Sequence, residues 1–370
     1  MSQGRSIRVL VVDDSLVMRS LLRLVLGTEP RITVAGSASN GESALRAIDE
    51  VHPDLVLMDI EMPGLDGLEA LRRIRVLNRR LPVIMCSTLT RRGASVTIEA
   101  LALGASDYVT KPEGASTREE ALQQLAAQLV PKVLALTAYA VAEPPSVASK
   151  PLPVVQSLPR QTGYAPPKVV VLGISTGGPA ALDQVLPALP ADFPLPILLV
   201  QHMPKFFTRL LAERLNQRCK LSVSETIEGE PVIPGHIYIA PGDHHMEVVT
   251  GPYSSNRVPI LRITQGPPEN HCRPSVDVLF RTAVAVYGPS VLGVIMTGMG
   301  SDGLAGCHGI RKAGGTILAQ DEASSAVWGM PGCVVRAGIA DRIISLNGMA
   351  VEITRFITNI EAARPRKLAG

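Results

Sequence analysis

At 370 residues the chain exceeds one ordinary hydrophobic core, so two domains of about 100 to 200 residues each are expected. A hydrophobic fraction of 46% with only 3% aromatic residues describes cores of Val, Ile, Leu and Ala, and leaves no aromatic set on which nucleic-acid bases would stack. A formal net charge of +3, from 36 basic and 33 acidic residues, supplies none of the field on which DNA binding depends, so no nucleic-acid partner is expected.

Five short aliphatic runs in the first third, IRVLVVDD, ITVAGSA, DLVLMDIEMPG, PVIMCST and DYVTKP, each give way to a turn and then to helical spacing. The intervening helices are LVMRSLLRLVLG, ESALRAIDEV, LEALRRIRVL and SVTIEALALG. Such alternation predicts a doubly wound parallel sheet, one α/β domain over residues 5–125. In TREEALQQLAAQLVPKVLAL, Leu122, Leu125, Leu129, Val133 and Leu136 recur at helical intervals, with Pro131 expected to interrupt the ladder. Residues 126–166 read as a helical connector followed by a proline-rich, semi-extended linker, EPPSVASKPLPVVQSLPRQTGYAPP.

A second α/β domain is expected over residues 167–362. Its strands are VVVLGIS, PILLVQH, HIYIAPG, VLGVIMTG and TILAQD, with helices near 179–189, 206–217, 275–287 and 303–313. MEVVT and PILRIT, joined by GPYSSNR, read as an inserted β-hairpin. The five cysteines, Cys86, Cys219, Cys272, Cys307 and Cys333, are scattered and lack a Cys-x-x-Cys pair, which argues against disulfides and zinc clusters and for a reducing cytoplasm. No apolar run reaches membrane-spanning length and the N-terminus enters a strand pattern at once, so neither membrane insertion nor export is expected.

Asp13 and Asp14 close the first strand, Asp59 closes the third, Ser87 follows the fourth and Lys111 the fifth. The carboxyl ends of parallel strands converge on one crevice, where three carboxylates repel one another unless a hard cation such as Mg²⁺ joins them. Lys111 and Ser87 then make Asp59 a nucleophile suited to a phosphoryl group. Any one of these aspartates alone reads more simply as a helix cap; it is the joint pattern over four strand ends that argues for a site.

The first domain, in VVDDS, MDIEMPGLDG and VTKP, resembles the receiver domain of two-component response regulators. The resemblance implies a flavodoxin-like fold, phosphorylation of Asp59 by a histidine kinase, and Mg²⁺ held by Asp13, Asp14 and Asp59. It also implies contact of Ser87 with the phosphoryl group, and a receiver switch of Ser87, Lys111 and the aromatic Tyr108.

In the second domain GISTGGPAAL lacks the lysine of a phosphate-binding P-loop, and Ser175 replaces the middle glycine of a dinucleotide fingerprint. What remains is Gly-x-Ser-x-Gly at a strand-to-helix turn, a context that presents a serine hydroxyl as a nucleophile. A nucleophilic serine needs a base and an orienting acid. His202 and Asp302 each follow an apolar strand, as do His244, His245 and Asp321 in looser positions. A lone histidine at a strand end is more often structural, and the order Ser, His, Asp departs from that of α/β-hydrolases. Thr176 and the glycines of TGMG offer main-chain N–H groups for an oxyanion hole. Adjacent His244 and His245 point to opposite sides of an extended segment and are not expected to bind a metal; Arg273 supports the site, binds a glutamyl-rich face of a partner, or is equally well a surface or helix-capping residue.

From about Pro167 to Ile360, in GISTGG, QHMP, HCRPSVDVLF and TGMGSDG, the chain is similar to the catalytic domain of the CheB chemotaxis family, the protein-glutamate methylesterases/protein-glutamine glutaminases. The similarity implies a Rossmann-like α/β domain without a cofactor, Ser175 as nucleophile, His202 as base and acid, Asp302 as its orienting partner, and Thr176 and Met299 at the oxyanion hole. Ile174 stands where the family commonly has a small residue, which would narrow the pocket. The implied substrates are methyl-accepting chemoreceptors, met peripherally at receptor arrays, and the implied phosphodonor is a chemotaxis histidine kinase. An unphosphorylated receiver is implied to cover the Ser175 site. Two alternatives stand beside this reading: a response regulator whose second domain is a non-catalytic binding module, and a nucleotide-dependent enzyme using the loop at 173–178.

Overall fold

The computed structural model describes residues 5–112, 114, 117–138, 165–251 and 258–361. The chain divides after Lys150 into two compact units.

In the first unit strands and helices alternate as β1 (Ile7–Val12), α1 (Leu16–Gly27), β2 (Ile32–Ala38), α2 (Gly41–Val51), β3 (Leu55–Asp59), α3 (Gly67–Leu77), β4 (Val83–Ser87), α4 (Arg91–Ala102), β5 (Asp107–Thr110) and α5 (Arg118–Thr137). All neighbours in the sheet, ordered β2-β1-β3-β4-β5, are parallel. Every residue of β3 and β4 is buried, as strands covered on both faces require. This order reverses between β1 and β3, which places the crevice of the sheet between the ends carrying Asp13 and Asp59.

Helix caps fall on residues other than those acids. The side chains of Ser15, Asn40, Asp66, Thr90 and Thr117 accept the N–H groups that open α1 to α5. Asp13 and Asp59 are thereby released from capping, the simpler reading of each taken alone.

The expected interruption at Pro131 does not occur. Pro131 lies inside the 20-residue α5, whose Leu125, Leu129, Val133 and Leu136 form one buried stripe along the same helix. Burial of that stripe outweighs the hydrogen bond that the proline cannot donate.

The second unit contains β6 (Val169–Ile174), α6 (Gly178–Val185), β7 (Ile197–Gln201), α7 (Phe207–Arg218), β8 (Ser222–Glu225), β9 (His236–Ile239), β10 (His245–Thr250), β11 (Pro259–Thr264) and α8 (Val276–Tyr287). It continues through β12 (Val291–Ile295), α9 (Leu304–Ala313), β13 (Thr316–Gln320), α10 (Met330–Arg336), β14 (Arg342–Ile344) and α11 (Leu346–Glu361). Seven strands form a wholly parallel sheet ordered β14-β13-β12-β6-β7-β9-β8. Its edge strands β8 and β14 were not expected: they have four and three residues, are only partly buried, and so show no aliphatic run. β10 and β11 pair antiparallel as a separate two-stranded sheet, the expected hairpin, with residues 252–257 of its turn outside the described residues. The proline-rich linker likewise falls outside them over 139–164. None of the described helices is long and apolar enough to cross a membrane.

The chain proceeds from β6 toward β8 on one side and from β12 toward β14 on the other, so the topological switch point lies between β6 and β12. Pro131→Ala restores a helix-interior donor and removes a ring from the α5 ladder. The expected outcome is a first unit more stable by about 1–3 kcal/mol, read as a higher urea midpoint of its transition in the full chain.

Candidate active site

Ser175 and His202 lie side by side because their strands are in register: Ile174 of β6 faces Gln201 of β7, and each strand ends one residue before the site. The Ser175 turn is built tightly. Its N–H donates to the Thr297 carbonyl at 3.0 Å, its carbonyl accepts from Gly178 at 2.8 Å, and Gly177 takes the left-handed φ of 77°. A Cβ at Gly178 would lie 1.9 Å from Gln201 Oε1, so a larger residue there would displace the Gln201 amide. Gln201, buried at the end of β7, donates its Nε2 to the carbonyls of both Ser175 (3.0 Å) and His202 (3.3 Å). The sequence signal for it was a polar residue closing the apolar run ILLVQ.

Across the switch point, Asp302 follows β12 and is 3% exposed. Its Oδ2 accepts from His202 Nε2 at 2.8 Å and from the Val276 N–H at 2.7 Å. Its Oδ1 accepts from Ser275 Oγ (2.8 Å), Asn270 Nδ2 (3.0 Å), Gly303 N–H (3.0 Å) and Asp277 N–H (3.1 Å). Two of these donors open α8, where the helix dipole also favours an anion. Burial alone would raise the Asp302 pKa, but the His202 imidazole and these hydrogen bonds bring it down to about 2. Burial lowers the His202 pKa in turn, yet Asp302 and Cys272 overcome it and raise it to about 9.

Sequence reasoning did not single out Cys272 or Asn270. Glu269 and Cys272 exchange both main-chain hydrogen bonds, at 3.1 and 2.8 Å, around Asn270 and His271. Both central residues have left-handed φ, 52° and 62°, as a type I′ turn requires. The turn presents Asn270 to Asp302 and brings Cys272 Sγ to 3.7 Å from His202 Nδ1. Its signal lay in the phrase NHCRPSVD, where the polar residues precede a helix start.

Ser175, His202 and Asp302 therefore share one crevice, but only the last two are hydrogen-bonded; among the described residues Ser175 Oγ bonds to neither. Thr176 is buried, with its carbonyl accepting from Thr297 Oγ1 at 2.9 Å. The main chain leading to Met299 passes beside Ser175, since a Cβ on Gly298 would lie 2.8 Å from that of Ser175. Ile174 is wholly buried within β6. His245 is buried and bonded to the Pro267 carbonyl and the Ser275 N–H, His244 lies against the Gly242 carbonyl, and Arg273 pairs with Asp243. Asp321 accepts from the Ser324 N–H at 3.0 Å.

The first unit gathers its strand-end residues as expected. Lys111 Nζ stands 2.8 Å from Asp59 Oδ2 and 3.1 Å from Asp13 Oδ2, and donor atoms of Asp13, Asp14 and Asp59 lie within 4.8 Å of one another. Burial raises the Asp59 pKa to about 6 against the pull of Lys111, whose own pKa is raised by Asp59 and Asp13 despite burial. Ser87 Oγ accepts from Thr97 Oγ1 at 2.6 Å and donates to the Thr88 carbonyl at 3.1 Å, with no bond to Asp59 among the described residues. Tyr108 is buried, with Lys132 Nζ 4.9 Å from its ring centre. A cavity of about 220 Å³ opens over Asp14, Asp59, Ser87 and Lys111.

The donors around Asp302 yield a direct test. Asp302→Asn puts an amide NH₂ against groups that are themselves donors, so the second unit should lose about 3–5 kcal/mol of stability in urea unfolding of the full chain. An unchanged midpoint would mean that the carboxylate is not what these donors hold.

The response regulator receiver domain family matches residues 9–126, and the CheB methylesterase family matches residues 170–353. A Trichodesmium erythraeum protein named protein-glutamate methylesterase/protein-glutamine glutaminase is 45% identical over 361 residues, 95% of this chain and 99% of the relative. A Nocardioides protein of the same name is 46% identical over 352 residues, covering 94% of this chain and 95% of its own. The crystal structure of the Thermotoga maritima CheB methylesterase catalytic domain aligns at 38% identity with a TM-score of 0.49, over 53% of this chain and all of that one. With a receiver crevice in the first unit, a Ser175–His202–Asp302 crevice in the second and kinship over nearly its whole length, the chain belongs to the CheB family of protein-glutamate methylesterases/protein-glutamine glutaminases.

Proposed function

We propose that the chain is a phosphorylation-activated serine esterase that hydrolyses glutamate γ-methyl esters on chemoreceptors, and that the same site deamidates receptor glutamines. The observation that carries this reading is the buried Asp302 carboxylate holding His202 by Nε2, which leaves Nδ1 as the ring nitrogen able to serve a nucleophile beside it. Relatives spanning 95% of the chain are named as enzymes, which sets aside the non-catalytic binding module. The nucleotide-dependent alternative has no support in the loop at 173–178, which opens onto Gln201 and Thr297 rather than a phosphate-binding lysine.

In this mechanism the neutral form of His202, the minor one below its raised pKa, takes the Ser175 proton at Nδ1 as Ser175 Oγ attacks the ester carbonyl. Asp302 stabilises the resulting imidazolium and fixes the ring's orientation. Main-chain N–H groups of Thr176 and Met299 are assigned to the oxyanion. His202 then returns the proton to the departing methoxy oxygen and methanol leaves. Water, deprotonated by His202, attacks the acyl-serine; the serine oxygen regains a proton and the glutamate carboxylate is released. With a glutamine side chain only the leaving group changes, to ammonia.

In the receiver, Asp59 is assigned as the phosphoryl acceptor from a histidine kinase, with Lys111 and Ser87 receiving the phosphoryl oxygens and Tyr108 responding to them. The acids fit Mg²⁺: the donor set is all oxygen, and Asp13 Oδ2 is buried with no hydrogen bond of good geometry although Lys111 stands nearby. Asp13, Asp14 and Asp59 would hold the ion, which when bound neutralises charge on the transferring phosphoryl group. Lys111 keeps Asp59 ionised against its burial, so that a carboxylate rather than an acid meets the phosphoryl group.

Methanol release from methylated receptor membranes tests both parts. Wild type should release methanol, faster with a small-molecule phosphodonor and Mg²⁺; Ser175→Ala should lose the activity by about 10⁶-fold, and Asp59→Asn should lose the phosphodonor response. Release that persists in Ser175→Ala would reject the assigned nucleophile.

A further inference from the structure

Two groups of three metal-ligating side chains with donor atoms within 4.8 Å of one another occur among the described residues. One is the receiver's acids. The other is His202, Cys272 and Asp302, whose donors are of a different kind: an imidazole nitrogen and a thiol sulfur, with a carboxylate behind them. In the second group Asp302 is already committed to six donors and holds His202 by Nε2, so Nδ1 and Cys272 Sγ are the two atoms that face each other.

Their spacing has a chemical meaning. A tetrahedral zinc ion with bonds of about 2.05 Å to nitrogen and 2.3 Å to sulfur separates the two donors by about 3.6 Å. Here they are 3.7 Å apart. The arrangement behind them also matches a metal-binding histidine, whose second ring N–H is commonly held by a carboxylate that fixes the tautomer and raises the basicity of the ligating nitrogen. Among the described residues no other cysteine has such a neighbour. Cys86 and Cys307 are buried with thiol pKa values pushed far up, Cys219 is raised by burial to about 11, and Cys333 lies against the Gly300 carbonyl.

We propose that His202 Nδ1 and Cys272 Sγ form a binding site for a thiophilic divalent cation, with Zn²⁺ as the probe, and that its occupation shuts the esterase. Binding replaces the Cys272 S–H proton by a metal–thiolate bond and the Nδ1–H proton of the His202 imidazolium by a metal–nitrogen bond, both protons passing to solvent. Water fills the remaining positions. A soft sulfur and an imidazole select Zn²⁺ over the Mg²⁺ that oxygen ligands in the receiver prefer. The inhibitory half rests on the reading of His202 as the base for Ser175; the binding half stands without it.

The full chain, with Mg²⁺ in excess to occupy the receiver, is titrated with Co²⁺ as a visible surrogate. Thiolate-to-cobalt charge-transfer absorption is expected in the near ultraviolet, abolished by added Zn²⁺ and absent from Cys272→Ser. Zn²⁺ should inhibit methanol release by wild type, reversibly with a zinc-selective chelator. Half-inhibition of Cys272→Ser should need on the order of 10- to 100-fold more Zn²⁺, relative to its own metal-free rate. Should that variant fail to fold, alkylation of Cys272 in wild type, followed by peptide mass spectrometry, decides instead: Zn²⁺ should slow it at least about tenfold. A missing charge-transfer band, a band that survives in Cys272→Ser, or alkylation indifferent to Zn²⁺ would overturn the site. Failure of the esterase reading shows differently, as no methanol release from metal-free protein while the Co²⁺ band remains.

Discussion

An ionised carboxylate taken out of water is costly unless it is fully hydrogen-bonded, and the second unit is organised around meeting that requirement at Asp302. Its six donors come from the histidine after β7, from the turn at 269–272, from Ser275 and the first N–H groups of α8, and from Gly303 at the start of α9. Segments distant in sequence are thereby tied to one oxygen pair. The same network determines chemistry: with Nε2 committed to Asp302, the imidazole can act through Nδ1 alone.

A second acid crevice in the same chain shows how much depends on the supply of donors. In the first unit Asp13 and Asp59 also end parallel strands and are also buried, but one lysine is shared between them and Asp13 Oδ2 lacks a well-formed hydrogen bond. Burial accordingly raises the Asp59 pKa, whereas the Asp302 pKa falls. A carboxylate with its donors complete becomes a fixed charge that orients a neighbour. One with too few is open to a cation and to reaction.

Both crevices were legible in the sequence because parallel sheets write their sites as strand ends. The aliphatic runs ending at Asp13, Asp59 and Ser87, and those before Ser175 and His202, are complete enough to locate by eye, and the observed strands end within a residue of them. Less was visible where structure depends on distant partners. β8 and β14 are edge strands with mixed polarity, held by pairing rather than by their own pattern. Pro131 reads locally as a break, but the buried stripe on α5 carries the helix through it. Cys272 and Asn270 could not be assigned from spacing at all. Their positions follow from two consecutive left-handed residues, Asn270 and His271, whose types favour that conformation but too weakly to mark a turn without its distant partners.

Those left-handed residues cost conformational energy, and such strain persists only where surrounding contacts hold it in place. Here the Asn270 amide is anchored to Asp277 Oδ2 as well as to Asp302, while the turn's two main-chain hydrogen bonds close it on Cys272. The thiol is consequently held against the one ring nitrogen that the mechanism needs. In the mechanism proposed above, Ser175, one strand away, takes that nitrogen in place of Cys272 as it loses its proton. On that proposal access to Nδ1, more than the presence of the three residues, sets how readily the site works, and a ligand held by the His202–Cys272 pair would act on it directly.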